Sequence, residues 1–182
     1  MKNTMLCKDP SLVLVKKDSS EYNLLTKQLL RRRGKCKGSV FKTVCRGKIS
    51  REYMEETVRE SEYALIYYSK RKCENENYIC GVLMFLYDEK HLYIKLLCTR
   101  KSNGDAKGRK LLQEVEKIAR ERKIYTIATR ATTDAYSFWK KMQFVRMSDA
   151  CTWQDTIKAG NLVPPSSNIK CGNRPCRYVD SK

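Results

Sequence analysis

The chain has 182 residues, of which 41% are hydrophobic, and carries a formal net charge of +18. That length suits one domain, and that hydrophobic share excludes a disordered chain. The charge predicts attraction to nucleic acid, acidic protein surfaces or phosphorylated ligands, with a solvated basic face as the plainer reading. No apolar run approaches the roughly 20 residues of a membrane helix. The apolar block near the N-terminus is too short for a signal peptide and is interrupted by Asp9 and Pro10. A soluble intracellular protein, cytoplasmic or nuclear, with no membrane partner is expected. The nine cysteines are odd in number and contain no CxxC. The nearest pair is Cys171 and Cys176, and the only histidine, His91, lies far from them in sequence. Free thiols and no metal site are therefore expected.

In chain order, LVLVK at residues 12–16 reads as a strand. Ser19 or Ser20 then caps a helix through RRR, with Leu24, Leu25, Gln28 and Leu29 along one face. No acidic residue occurs from Tyr22 to Ser50, and Arg31, Arg32, Arg33, Lys35 and Lys37 crowd into RRRGKCKG. Ser50 opens a second helix with Tyr53, Met54, Thr57 and Val58 as its apolar stripe. ALIYY and YICGVLMFLYDEKHLYIKLLC read as three strands, the last two joined in a hairpin by Asp88–His91. A long helix from Asp105 to about Arg122 follows, then the strand IYTIATRA, a helix starting near Thr133 or Asp134, and FVRM extended again. A looser basic tail occupies about 160–182, where RYV offers one last strand. This order gives a mixed sheet with helices packed on it, one α/β domain over 1–182 with its core at about 12–150.

The turn into the long helix holds the first chemical signal. The N–H groups of a helix's first turn lack internal partners, and the macrodipole adds partial positive charge there. A phosphate satisfies both where side chains leave room. Gly104, Ala106 and Gly108 supply clearance, while Lys107, Arg109 and Lys110 supply charge. The strand IKLLCT ends directly before it, and the carboxyl end of a strand is where α/β sheets usually bind ligands. There is no GxxxxGK[ST] and no GxGxxG. A glycine-bearing loop without a ligand is the alternative.

Asn103-Gly104-Asp105-Ala106-Lys107-Gly108, followed by RKLLQEVEKIA, resembles the Gln/Arg-x-x-Gly-x-Gly/Ala motif of the GNAT family of acetyl-CoA-dependent N-acetyltransferases. Asn103 stands for Gln or Arg, and Ala106 for the first glycine. DAYSFWKKMQF resembles the family's A-x-x-x-Y-x-x-x-G-F segment, with Trp139 at the tyrosine and Gln143 at the glycine. The order of elements matches from Leu12 to about Met147. The resemblance implies a single GNAT-like domain, its mixed, mostly antiparallel sheet splayed at the cofactor site with helices on both faces. It implies acetyl-CoA as acetyl donor, paired with the main chain of Leu96, Leu97 and Cys98. The pyrophosphate would then fall on the N–H groups of Asn103, Gly104, Asp105, Ala106, Lys107, Gly108 and Arg109.

Acetyl transfer needs a deprotonated amine, a polarised carbonyl and a proton for the departing thiolate. The strand HLYIKLLC has no carboxylate; Asp88, Glu89 and His91 stand at its beginning. His91 has a suitable intrinsic pKa for a base, against the simpler role of a turn residue. Tryptophan cannot protonate a thiolate, so Tyr136, one turn before Trp139, is the candidate acid; a core aromatic is the other reading. Cys98 sits in an apolar strand pattern and is expected to be a small hydrophobe, not a nucleophile. The block Arg31, Arg32, Arg33, Lys35 and Lys37 suits nucleic acid or an acidic protein, or is a solvated loop. It argues against a polyamine acceptor and for a protein lysine or N-terminal amine. The rival to the enzyme is a basic binding module that keeps the fold without turnover.

Overall fold

A computed structural model of the chain describes residues 11–30, 44–45, 49–73, 76–89, 91–100, 104–124, 126–131, 133–146 and 176–181. The strands are β1 Leu12–Lys16, β2 Tyr63–Cys73, β3 Glu76–Tyr87, β4 His91–Thr99, β5 Thr126–Ala131, β6 Val145–Arg146 and β7 Cys176–Ser181. The helices are α1 Ser20–Leu30, α2 Arg51–Glu60, α3 Gly104–Glu121 and α4 Thr133–Lys141. The expected element order is present. The basic block, Asn103 and the tail before residue 176 lie outside the described residues. The chain divides into two compact units, Met1–Leu86 with Lys95–Leu112, and Tyr87–Ile94 with Gln113–Lys182.

In the first unit, β1 and β3 flank β2 in antiparallel ladders, with Leu14 opposite Leu65 and Leu65 opposite Leu83. Alternation along the strands then sorts the two faces. Ala64, Ile66, Val82 and Met84 join Val15, Tyr22, Leu25, Leu29, Met54 and Val58 of β1, α1 and α2 in one buried cluster. Leu65, Leu83 and Phe85 are buried on the opposite face. The apolar face of α1 is turned from the one expected. Tyr22, Leu25 and Leu29 are buried, whereas Leu24 is 51% exposed. Tyr22 draws the helix round, because its hydroxyl lies 3.0 Å from the Val58 carbonyl and 3.1 Å from that of Ser61. Burial of that hydroxyl pushes its pKa up to about 12, the nearby Asp18 adding to the rise. Both helices begin on serine caps: the Ser19 hydroxyl accepts from Tyr22 N, and that of Ser50 from Tyr53 N.

In the second unit, the start of β4 pairs in parallel with β5, β5 with β7, and β6 with β7. The mixed sheet thus gains parallel character from its C-terminal strand. Asp88 and His91 close the expected hairpin: Asp88 N donates to the His91 carbonyl, and His91 N to Asp88 Oδ1 at 2.8 Å. Both long-range helices end in left-handed caps without glycine. Lys123 (φ 57°) and Gln143 (φ 63°) occupy the positions that glycine usually takes. After α4, Gln143 N bonds the Lys140 carbonyl and Phe144 N that of Trp139, with the Trp139 and Phe144 rings edge to face at 4.8 Å. After α3, Lys123 N reaches Arg120 and Ile124 N reaches Ala119, so the same double bond closes the helix.

Candidate functional site

The site is built on β4. Its ladder with β5 has four pairs, from His91 opposite Thr126 to Ile94 opposite Thr129, while β4 continues to Thr99. Two side-chain hydroxyls take carbonyls where the ladder ends. Thr129 Oγ1 donates to Ile94 O at 3.0 Å, and Tyr53 Oη of α2 donates to Lys95 O at 3.0 Å. Lys95 itself reaches Glu60 Oε2 at 2.6 Å, and this bond lowers the Glu60 pKa. Beyond them, Leu96 and Cys98 turn into the core with α1 and α2, and Leu97 is half-buried.

The far end of β4 is held on β3 by a bulge. Tyr67 faces Gly81 and Tyr68 faces Ile79, so Cys80 is the extra residue. Arg100 reads that bulge twice: its main-chain N donates to Cys80 O at 2.9 Å, and its Nε to Ile79 O at 3.0 Å. Burial lowers the guanidinium's pKa. Next to the bulge, Gly81 leaves room for the helix. A Cβ there would lie 3.1 Å from Leu111 Cδ1, 3.3 Å from Thr99 Cγ2 and 3.4 Å from Cys98 O. The missing side chain therefore lets the second turn of α3 press onto the end of β4.

α3 opens at Gly104, so within it the N–H groups of Gly104, Asp105 and Ala106 have no carbonyl four residues back in the helix. Those of Gly108 and Arg109 fall in the regular ladder by helix geometry. Gly108 contributes instead by being buried, while Ala106 and Arg109 are exposed and Lys107 is half-buried. Lys110 is occupied over the Tyr67 ring, 5.7 Å from its centroid. Leu96, Leu97, Cys98 and the helix start thus belong to one unit, joined through Arg100; Asn103 is outside the described residues.

Cys98 departs from the sequence expectation. It is disulfide-bonded to Cys45, with the Cα atoms 4.9 Å apart, so it is not a free thiol. Sequence could not show this, because Cys45 is 53 residues away and only the fold brings them together. Cys80 is free and buried.

The two catalytic candidates lie in the second unit. His91 is buried at the start of β4, its Nδ1 3.2 Å from Asp88 Oδ1. Tyr136 is half-buried on α4, and Trp139 is 4% exposed. Trp139 packs against Phe144 and, at 5.4 Å, Phe138. Among the described residues no cluster of histidine, cysteine and carboxylate groups could hold a metal, and no helix is long and apolar enough to cross a membrane.

An α/β core in which a parallel ladder ends and the same strand runs on into a glycine-started helix is the architecture of the GNAT acetyltransferases. Superposition on a solved structure shows the fold: the chain has the GNAT fold. Tetrahymena GCN5 superposes with a TM-score of 0.56 at 14% identity, over 86% of this chain and 90% of that one. An aminoglycoside 6'-acetyltransferase type Ii matches at TM-score 0.47 and 19% identity, over 71% and 81% of the two chains. An acetyltransferase from Streptococcus agalactiae matches at 0.46 and 14%, over 91% and 96%. No family sequence model and no curated protein matches the chain by sequence.

Proposed function

We propose that the protein is an acetyl-CoA-dependent N-acetyltransferase acting on a primary amine, either a protein lysine or an N-terminus. The observation that carries this is the end of β4. Its main chain at Leu96, Leu97 and Cys98 runs past the last pair with β5 and leads through Arg100 toward a helix whose first turn offers the N–H groups of Gly104, Asp105 and Ala106. Main-chain groups at 96–98 suit the amides of a pantetheine arm, and the helix start suits a pyrophosphate. Such recognition uses backbone, so it tolerates Ala106 where the family has glycine.

The neutral amine of the acceptor attacks the thioester carbonyl, and the tetrahedral intermediate expels CoA thiolate. Tyr136 supplies the proton that the thiolate takes up. His91 is assigned to the hairpin, because its ring is held by Asp88. Proximity carries much of the rate, since the donor arrives activated. The basic segment at residues 31–37 selects acceptors that are not themselves strongly cationic.

A second reading, a GNAT-fold binding module without turnover, is favoured by one observation: Trp139 is buried core at the position where the resemblance places a tyrosine. Calorimetric titration with acetyl-CoA followed by an amine-acceptor screen separates the two. Saturable binding with acetylated product supports the enzyme. Binding without product supports the module, and no binding at millimolar acetyl-CoA removes the cofactor from both. Gly108→Glu places a buried carboxylate at the helix start and should abolish binding by charge and bulk.

A further inference from the structure

The end of β4 is clamped from three directions. In the plane of the sheet, Arg100 N bonds Cys80 O. On one face, Gly81 lies against Cys98 O and Thr99. On the other, the Cys98 side chain is bonded to Cys45, and both cysteines are buried, at 5% and 6% exposure. Cys45 and its neighbour Val44 belong to the same buried cluster as Leu96 and Cys98. The first two restraints are permanent, whereas the third is a bond that thiols can open.

We infer that Cys45–Cys98 is a reversible thiol–disulfide site that sets how firmly the end of β4 holds its ligand, tight when oxidised and loose when reduced. The ligand half of this inference rests on the proposed function; the redox half does not. Recognition by main-chain groups depends on those groups being held in place before binding, since ordering them on binding subtracts from affinity. The bond supplies that order at one of the three residues proposed to meet the pantetheine arm. A small dithiol is the reductant. One of its thiolates attacks a cysteine sulfur, the other cysteine leaves as thiolate and takes up a proton, and the second thiol of the reagent displaces the first cysteine. Two cysteine thiols and a cyclic disulfide result. A disulfide such as oxidised glutathione takes the two electrons back in the reverse direction. Burial of both sulfurs makes exchange slow, so the site holds its state between events.

The experiment compares the full chain in air-oxidised form, reduced with dithiothreitol, reoxidised with oxidised glutathione, and as Cys45→Ala. Peptide mass mapping reads the bond, amide hydrogen exchange reads residues 95–99, and calorimetry with acetyl-CoA reads the ligand. The expected result is a Cys45–Cys98 cross-linked peptide only in the oxidised forms. Reduction should speed exchange at 95–99 by tenfold or more and weaken acetyl-CoA binding by fivefold or more, and reoxidation should restore both. Cys45→Ala should behave as reduced protein whatever the reagent. Absence of the cross-linked peptide in oxidised protein, or exchange and affinity that are equal in the two states, overturns the inference. Redox-dependent exchange with no acetyl-CoA binding in either state upholds the switch and overturns the proposed ligand.

Discussion

Gly81→Ala tests whether α3 is seated on β4 through a missing side chain. The new methyl would stand 3.1 Å from Leu111 Cδ1 and 3.3 Å from Thr99 Cγ2, with Cys98 O at 3.4 Å. Carbon atoms pack best at about 3.5–4.0 Å, so both carbon contacts are too short. The leucine has little room to shift, since Leu111 is 0% exposed. Overpacking of this kind costs about 1–3 kcal/mol. Replacing glycine restricts the unfolded chain and returns about 0.4–1 kcal/mol. The net expectation is a loss of about 1 kcal/mol, a fall in Tm of about 2–4 °C at this chain length. Urea unfolding followed by circular dichroism measures it. Leu111→Val removes the atom that the methyl meets, so the double variant should recover about 0.5 kcal/mol or more relative to additivity. A neutral or stabilising Gly81→Ala, or a coupling of zero, would show that α3 is not seated through this gap.

Gln143→Gly should stabilise by about 0.5–1 kcal/mol, read by the same unfolding assay, because the left-handed conformation of Gln143 (φ 63°) costs a side chain about 1–2 kcal/mol and the freer unfolded glycine takes back about 0.4–1 kcal/mol. Tyr22→Phe should cost about 1–1.5 kcal/mol at neutral pH through the lost hydroxyl bonds to Val58 and Ser61. Its folded pKa is raised, so the stability it contributes is complete below the ordinary tyrosine value near 10 and disappears as pH climbs through about 12. The gap between wild type and Tyr22→Phe should therefore be flat to about pH 9 and shrink above 10, as unfolding curves in matched alkaline buffers would reveal. Tyr136→Phe should lower kcat about 10²-fold with little change in acetyl-CoA affinity, the usual scale for one general acid; an unchanged kcat would pass the proton's source to solvent or another group.

Much of the fold was legible because hydrophobic period and serine caps are local signals. The strands, the hairpin at Asp88–His91 and the start of α3 one residue before Asp105 follow from residues within a few positions of one another. The buried face of α1 was misread for a non-local reason. Leu24 and Leu25 are equally apolar, and it is Tyr22, bonded to carbonyls 36 and 39 residues on, that decides which of them faces inward. The bulge at Cys80 and the value of Gly81 were equally hidden, since each is defined by a strand or helix elsewhere in the chain. At the candidate site, the helix start was readable and the disulfide was not.

The two substitutions that weaken the likeness to the acetyltransferases have different physical standing. Gln143 stands where the resembled motif has glycine, and it takes the left-handed conformation of a helix cap closed by two main-chain bonds, with the Trp139–Phe144 contact beside it. That departure is structural and leaves the fold intact. Trp139 gives its main-chain carbonyl to the same cap, and its ring, 4% exposed, packs edge to face on Phe144. Under the proposed function the proton comes from Tyr136, which lies one turn earlier on the helix and is half-buried.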